Sequence, residues 1–308
     1  MKKKFIIGID LGGTKIKAAL FNIHLQSQAH KAFITNSFEN KDLLIKGIVD
    51  IVTGLIKENG LKKQNILGVG LGMPGPVDSQ KGRVYFLPNI SGWKNVPLAD
   101  ILRRKLNLPV FLDNDAKLMT LAEYSLGKAR FAKNALCITL GTGVGGGLIL
   151  DGRLFRGLDN AAGEIGHLPV NIDGPACACG GKACLEAYVG NKRILAQGKK
   201  VFHRDISLEE LSRLALRKNK MAISVWRKVG RHLGVALSGA VNLLNLDAII
   251  IGGGVADAGK VLFEQVKETI HSRAMRVQAK RVKILKAGLG KDAGTIGAGV
   301  LVKERLGI

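Results

Sequence analysis

Three cysteines and a histidine fall in one short stretch, His167, Cys177, Cys179 and Cys184, in the pattern H-x9-C-x-C-x4-C. Three thiolates and an imidazole are a donor set suited to tetrahedral zinc. Gly180-Gly181 lets the chain turn tightly between the donors. Buried or redox thiols beside an unrelated histidine would be the plainer reading, but a glycine-containing, loop-like stretch fits it poorly. Cys137 stands apart inside an apolar run and reads as a core residue. Carboxylates are the second chemical resource. Asp10 ends one apolar run and Asn114-Asp115 ends another. A carboxylate beside a glycine turn could hold magnesium through water. One at a strand end could accept a proton from a reacting hydroxyl. Read from the residues alone, Asp115 serves equally as an N-cap that only satisfies backbone N–H groups, and Asp113 could do the same.

Several glycine-rich loops could cradle phosphate, and each nucleotide-binding template makes its own demand. Gly70 to Gly75 and Gly141 to Gly146 both match GxGxxG. The dinucleotide template needs a helix to open there, with its N-terminus on the pyrophosphate. Pro74 and Pro76 oppose a helix after the first, and a strand-like run follows the second. Gly254 to Lys260 spells GxxxxGK, but Val261 stands where Ser or Thr should hold magnesium; after Gly8 to Gly13, Thr14 stands where Lys is needed. A different layout remains. Asp10-Leu11-Gly12-Gly13-Thr14-Lys15 and Leu140-Gly141-Thr142-Gly143 both read as strand–turn–strand loops offering backbone N–H groups and a Thr hydroxyl. Two such hairpins, one per domain, can clamp a phosphate chain. With Gly252-Gly253-Gly254 opening a later helix, the layout resembles the actin, hexokinase and Hsp70 ATPase superfamily. There this last loop sits by the adenosine.

The elements that must position these residues alternate strand and helix in two successive groups. Strands are expected over 5–12, 15–22, 66–72 and 110–112, with helices over 42–57, 96–106 and from Asp115. A second group brings strands at 135–140, 147–150, 248–251 and 282–285, a mainly helical 207–246 with Ser207 and Glu210 in capping-box positions, and a final helix over 295–306. No internal sequence repeat is visible. The pattern predicts a two-domain α/β protein. The expected small domain is 1–113 plus 297–308, and the large domain is 114–296 with a zinc loop at about 164–187.

At 308 residues the chain can bury two cores. Its four cysteines exclude a disulfide scaffold. No apolar run approaches a membrane span and no targeting signal is visible, so a cytoplasmic protein is expected. The net charge of +23 raises nucleic-acid binding. The basic clusters are short and lack aromatic interleaving, which reads as a solvated basic surface without specific nucleic-acid recognition.

Taken together, Asp10 to Lys15, Gly72 to Gly75, Pro88-Asn89 with Trp93, Asn114 to Ala116, Leu140 to Gly147, Gly163 to His167, Cys177 to Glu186 and Gly252 to Val255 are similar in order and spacing to the ROK family (repressor, open reading frame, kinase) along the whole chain. The resemblance implies the actin/hexokinase/Hsp70-like ATPase fold with a central cleft, and phosphoryl transfer from MgATP to a hexose hydroxyl, glucose first. N-acetylglucosamine, N-acetylmannosamine, mannose, fructose and allose are alternatives. It implies Asp115 as catalytic base, with Gly75, Asn89, Asn114, Glu164, His167 and Glu186 around the sugar. It implies Asp10, Gly12, Gly13, Thr14, Lys15, Gly141, Thr142, Gly143, Gly253 and Gly254 around the nucleotide. The zinc is expected to be structural, and the assembly a homodimer or homotetramer. The family's repressors carry an N-terminal DNA-binding domain, for which a hairpin at Asp10 leaves no room. Two positions depart from the family pattern: Ala183 replaces a usual Gly, and Lys117 stands where Asn is common.

Overall fold

The computed structural model describes residues 4–12, 15–34, 40–87 and 90–308. Along the chain the strands are β1 (Phe5–Leu11), β2 (Lys15–Asn22), β3 (Ser27–Ile34), β4 (Ile66–Met73), β5 (Val77–Asp78), β6 (Arg83–Phe86), β7 (Lys94–Val96), β8 (Val110–Asn114), β9 (Ala135–Leu140), β10 (Val144–Leu150), β11 (Arg153–Phe155), β12 (Ala248–Gly252) and β13 (Lys283–Lys286). The helices are α1 (Lys41–Glu58), α2 (Leu98–Leu106), α3 (Asp115–Ser125), α4 (Glu186–Val189), α5 (Asn191–Phe202), α6 (Leu208–Leu216), α7 (Lys220–Leu244), α8 (Lys260–Arg273), α9 (Arg276–Arg281) and α10 (Ala293–Leu306).

The chain divides into two compact units: unit 1 is Met1–Leu126, Arg156–Ala161 and Lys291–Ile308, and unit 2 is the remainder. The first boundary therefore lies after α3, beyond the expected 113, and 156–161 and 291–296 join unit 1 as well. The reason is packing. A Cβ on Gly297 of α10 would lie 1.9 Å from the Leu118 carbonyl, so α3 and α10 touch backbone to backbone.

In unit 1 the sheet order is β3-β2-β1-β4-β8, with β1–β2 and β2–β3 antiparallel and β1–β4 and β4–β8 parallel. Burial on both sides explains the unbroken apolar runs of β1 and β4. Gly8 and Gly70 let α10 lie directly on this sheet, since side chains there would strike the Thr295 and Ala298 carbonyls. Helix α1 starts where Asn40 accepts from the Asp42 and Leu43 N–H groups, and it buries Leu44, Ile48, Val52 and Leu55 on one face. The expected helix at 96–106 begins only at Leu98, because Pro97 stops the preceding β7 and occupies the cap position.

Unit 2 repeats this plan. Its order is β11-β10-β9-β12-β13, again with the first three strands antiparallel and the last two pairings parallel. No sequence repeat announces this, because topology constrains the hydrophobic period and not residue identity. Strand β10 begins at Val144, three residues before the expected 147, through pairing of Val144 with Leu140. Helix α7 is buried along one face around Trp226, Leu233 and Leu237. The Ser207 cap forms as expected, with its hydroxyl accepting from the Glu210 N–H at 3.0 Å. The reciprocal half of the box is replaced by a Glu210 pair with Arg204.

Candidate active site

In unit 1, β8 runs directly into α3, which places Asn114 and Asp115 at a strand end and helix start. Asn114 is the cap: its side-chain oxygen accepts from the Ala116 and Lys117 N–H groups at 3.0 and 3.2 Å. Its amide nitrogen donates to the Gly75 carbonyl at 3.1 Å, joining the Gly72–Gly75 turn to the helix start. Asp113 is not a cap either. It is fully buried, its Oδ2 taking Nε and Nη2 of Arg156 at 3.0 and 2.8 Å and its Oδ1 taking the Asn114 N–H at 2.8 Å. Asp115 follows the cap residue as the first residue of α3. It is half-buried and accepts the Ala116 N–H at 2.8 Å through Oδ1.

Lys117 lies on the buried side of α3, where Nζ donates to the Asn160 carbonyl. Asn160 has φ +59° and accepts from the Ser79 hydroxyl at 3.2 Å. The segment 156–161 is thus clipped to unit 1 by Arg156–Asp113 and Lys117–Asn160. Sequence reasoning missed both contacts. A pairing across some forty residues leaves no local signal, although the departure at Lys117 did mark the spot.

Asp10 is the next-to-last residue of β1, in register with Lys17 on β2. Its carboxylate lies against the first turn of α10, where a Cβ on Gly294 would come within 2.4 Å of it. Burial raises the Asp10 carboxyl above its ordinary value, and the Lys17 charge opposes that. The Gly12 N–H donates to the Lys15 carbonyl at 2.9 Å, closing the β1–β2 turn. Lys15 opens β2 and is exposed. Gly13, Thr14 and Asn89 lie outside the described residues.

In unit 2 the second expected hairpin forms, closed by a Gly141 N–H bond to the Gly143 carbonyl at 2.9 Å. Gly253 has φ +83°, and a Cβ on it would lie 2.2 Å from the Leu140 carbonyl. Only glycine lets the two segments meet there, so Gly253 lies against Leu140, the residue that leads into the Gly141-Thr142-Gly143 turn. Glu186, at the start of α4, accepts the Val144 N–H at 2.8 Å through Oε2. The residue expected beside the sugar thus has one oxygen on the hairpin.

The four expected metal donors converge: His167, Cys177, Cys179 and Cys184 place their ligand atoms within 4.8 Å of one another. The Cys179 and Cys184 sulfurs are 3.7 Å apart, as are Cys177 Sγ and His167 Nδ1. A tetrahedral ion with zinc–sulfur bonds of about 2.3 Å separates its sulfurs by about 3.8 Å, so the donors fit zinc in spacing as well as type. The thiols are unequal. The Gly181 N–H and neighbouring thiols lower Cys179 to about 7, whereas burial and those neighbours push Cys184 up to about 12. A divalent cation would supply the charge that holds all three as thiolates. Facing Nδ1 toward Cys177 assigns that nitrogen to the metal and leaves Nε2 for another partner. Glu164 is exposed, and its carbonyl accepts the His167 N–H at 3.0 Å. Ala183 adopts φ +56°, which accounts for the usual Gly at this position.

No helix among the described residues is long and apolar enough to cross a membrane. The profile of the ROK family matches residues 6–305. The glucokinase of Halalkalibacterium halodurans is 35% identical over 320 residues, covering 99% of this chain and 97% of that protein. The xylose repressor of Caldicellulosiruptor bescii is 31% identical over 310 residues, covering 96% of this chain and 77% of the repressor. Among solved structures, a ROK family glucokinase from Streptomyces griseus in complex with glucose and AMPPNP matches with a TM-score of 0.82 at 29% identity, covering 97% of this chain and 99% of that one. ROK hexokinases and glucokinases have the actin/hexokinase-like ATPase fold, and the paired five-stranded sheets described above are its framework. The full-length profile match, together with the converged metal donors and the two glycine hairpins, places this chain in the ROK family.

Proposed function

We propose that this protein is an ATP-dependent sugar kinase that phosphorylates a hexose hydroxyl, with glucose as the favoured substrate and glucose 6-phosphate as product. The observation that carries the reading is the placing of a carboxylate, Asp115, at the β8–α3 junction, beside the Asn114 amide that holds the Gly75 turn. Asn114 caps the helix and Asp113 takes the buried arginine. Asp115 follows both, at the point where β8 ends and α3 begins, with Oδ1 on the Ala116 N–H.

A sugar hydroxyl is a poor nucleophile, and Asp115 accepts its proton as the bond to phosphorus forms. Gly75, Asn89, Asn114, Glu164, His167 through Nε2, and Glu186 hold the sugar hydroxyls with directional donors and acceptors. Gly12, Gly13, Thr14, Lys15, Gly141, Thr142 and Gly143 bind the phosphate chain, chiefly through backbone N–H groups, and Gly253 and Gly254 border the nucleoside. Asp10 would hold magnesium through water, and the ion would neutralise charge on the phosphates. Zinc on His167, Cys177, Cys179 and Cys184 is assigned a structural part, fixing the ring of His167 and the start of α4. Similarity to the Halalkalibacterium halodurans glucokinase supports the choice of glucose. N-acetylhexosamine, mannose, fructose and allose kinases are the alternatives within the same chemistry.

The similar xylose repressor supports a second reading, a sugar-responsive regulator without turnover. An ADP-release assay with MgATP across hexoses, N-acetylhexosamines and xylose separates the two. We expect one hexose to exceed the others by about 100-fold in kcat/KM. Sugar binding without ADP release on any of them would favour the regulator.

A further inference from the structure

We propose that the metal loop and the phosphate hairpin of unit 2 form one coupled device in which metal occupancy sets nucleotide affinity, with Glu186 as the positioning residue. The inference rests on the kinase reading and goes beyond it, since that reading gives the metal a part only in arranging sugar contacts.

The link runs through Val144, the residue after the Gly141-Thr142-Gly143 turn. Its N–H donates to Glu186 Oε2 at 2.8 Å. Its carbonyl lies only 2.2 Å from where a Cβ on Gly166 would stand, so the Gly166 backbone is pressed against it. Gly166 immediately precedes His167, and Glu186 follows Cys184 by two residues. The first and last metal donors thus lie within two residues of groups that meet the same hairpin residue, one at its N–H and one at its carbonyl.

Two further contacts extend the grip over the turn. The Asn191 N–H donates to the Gly141 carbonyl at 2.9 Å. Gly190 approaches the Thr142 carbonyl, where a Cβ would come within 3.1 Å. Gly143 itself has no room for a side chain, because a Cβ would meet Glu186 Oε2 at 2.5 Å. Contacts from Glu186, Gly190 and Asn191 therefore reach every residue of the turn. A metal drawing His167 and Cys184 together holds Gly166 and Glu186 in place and fixes the direction of the hairpin N–H groups. Without the metal those donors are no longer held at the positions phosphate needs, and part of the binding energy is lost in ordering them.

Coupling of this kind is reciprocal: if metal strengthens nucleotide binding, nucleotide must strengthen metal binding by the same factor. MgADP in the absence of sugar is the appropriate probe, because it isolates the hairpin from any sugar contact of Glu186. We expect calorimetry to give MgADP affinity about tenfold weaker after zinc is stripped. In the loaded protein, a chromogenic chelator should extract zinc about tenfold less readily when MgADP is present. Gly166→Ala should bind zinc normally and MgADP more weakly. Glu186→Ala should bind MgADP with nearly the same affinity loaded or stripped. If stripping unfolds the protein, the loaded variants still decide the matter: unchanged MgADP affinity in both overturns the coupling. Equal MgADP affinity of loaded and folded stripped wild-type protein also overturns it and leaves the kinase reading standing. Absence of MgADP binding to the loaded protein removes both.

Discussion

Two aspartates with opposite local demands decide the chemistry proposed here. Asn114 caps α3, and an amide oxygen at 115 can still accept the Ala116 N–H, so Asp115→Asn should leave the helix start intact. Asp115→Asn is expected to lower kcat by about 10²–10⁴-fold. Sugar affinity, followed by calorimetry, should change little; a variant that keeps substantial turnover would remove Asp115 from its role. Asp10 shows the reverse balance. Burial holds its folded-state pKa above the ordinary 3.8, so the folded protein binds this proton more tightly than the unfolded chain. The resulting penalty is absent below 3.8, grows as pH rises through the window up to the raised value, and is fully present above it. Asp10→Asn should therefore be more stable than the parent to urea at neutral pH, with the difference shrinking toward 3.8, while magnesium-dependent turnover is lost. A variant less stable at neutral pH would show that the carboxylate has stabilising partners that outweigh its burial.

Elements take their places through contacts that no short window of sequence reveals. β8 and α3 were legible from an apolar run and an Asn-Asp start, because strand burial and helix capping are local effects. The clip formed by 156–161 was not. Asp113 is fully buried, and its countercharge, Arg156, reaches it from a segment beyond β11. Arg156→Met leaves that carboxylate unpaired, and the expected destabilisation is about 3–5 kcal/mol. The double variant with Asp113→Asn should recover much of this, since no charge is then stranded. Denaturant unfolding of the two proteins measures the difference, and equal stabilities would show that the pair is not what secures the clip. The glycines at 8, 70 and 297 belong to the same scale. Each was visible as a glycine, but its purpose, letting α10 touch the sheet and α3, appears only when the partner carbonyl is in view.

For the molecule as a whole, the metal loop offers the most direct check. Freshly purified protein should contain about one zinc per chain. Removing it with a chelator should lower the thermal midpoint, because a site preformed only in the folded state adds its binding energy to folding. Protein free of zinc and unaffected by the chelator would reassign the four donors to ordinary packing. The charge of +23 is a property of the whole surface, and the basic residues do not form a long run at any one place.

The sequence by itself determined the parts whose physics is local or compositional: two groups of alternating strands and helices, two glycine turns lacking the context of other nucleotide folds, and a donor set with zinc spacing. Those follow from hydrophobic period, backbone freedom at glycine and ligand type, which a linear pattern can carry. Tertiary structure alone decided that both units share one strand order, that α3 belongs with unit 1, that Asn114 and not an aspartate caps it, and that Glu186 and Gly166 close on Val144. Each of these depends on which distant groups can approach within contact distance without a clash. That is a property of the packed chain, and nothing in the spacing of its residues encodes it in readable form.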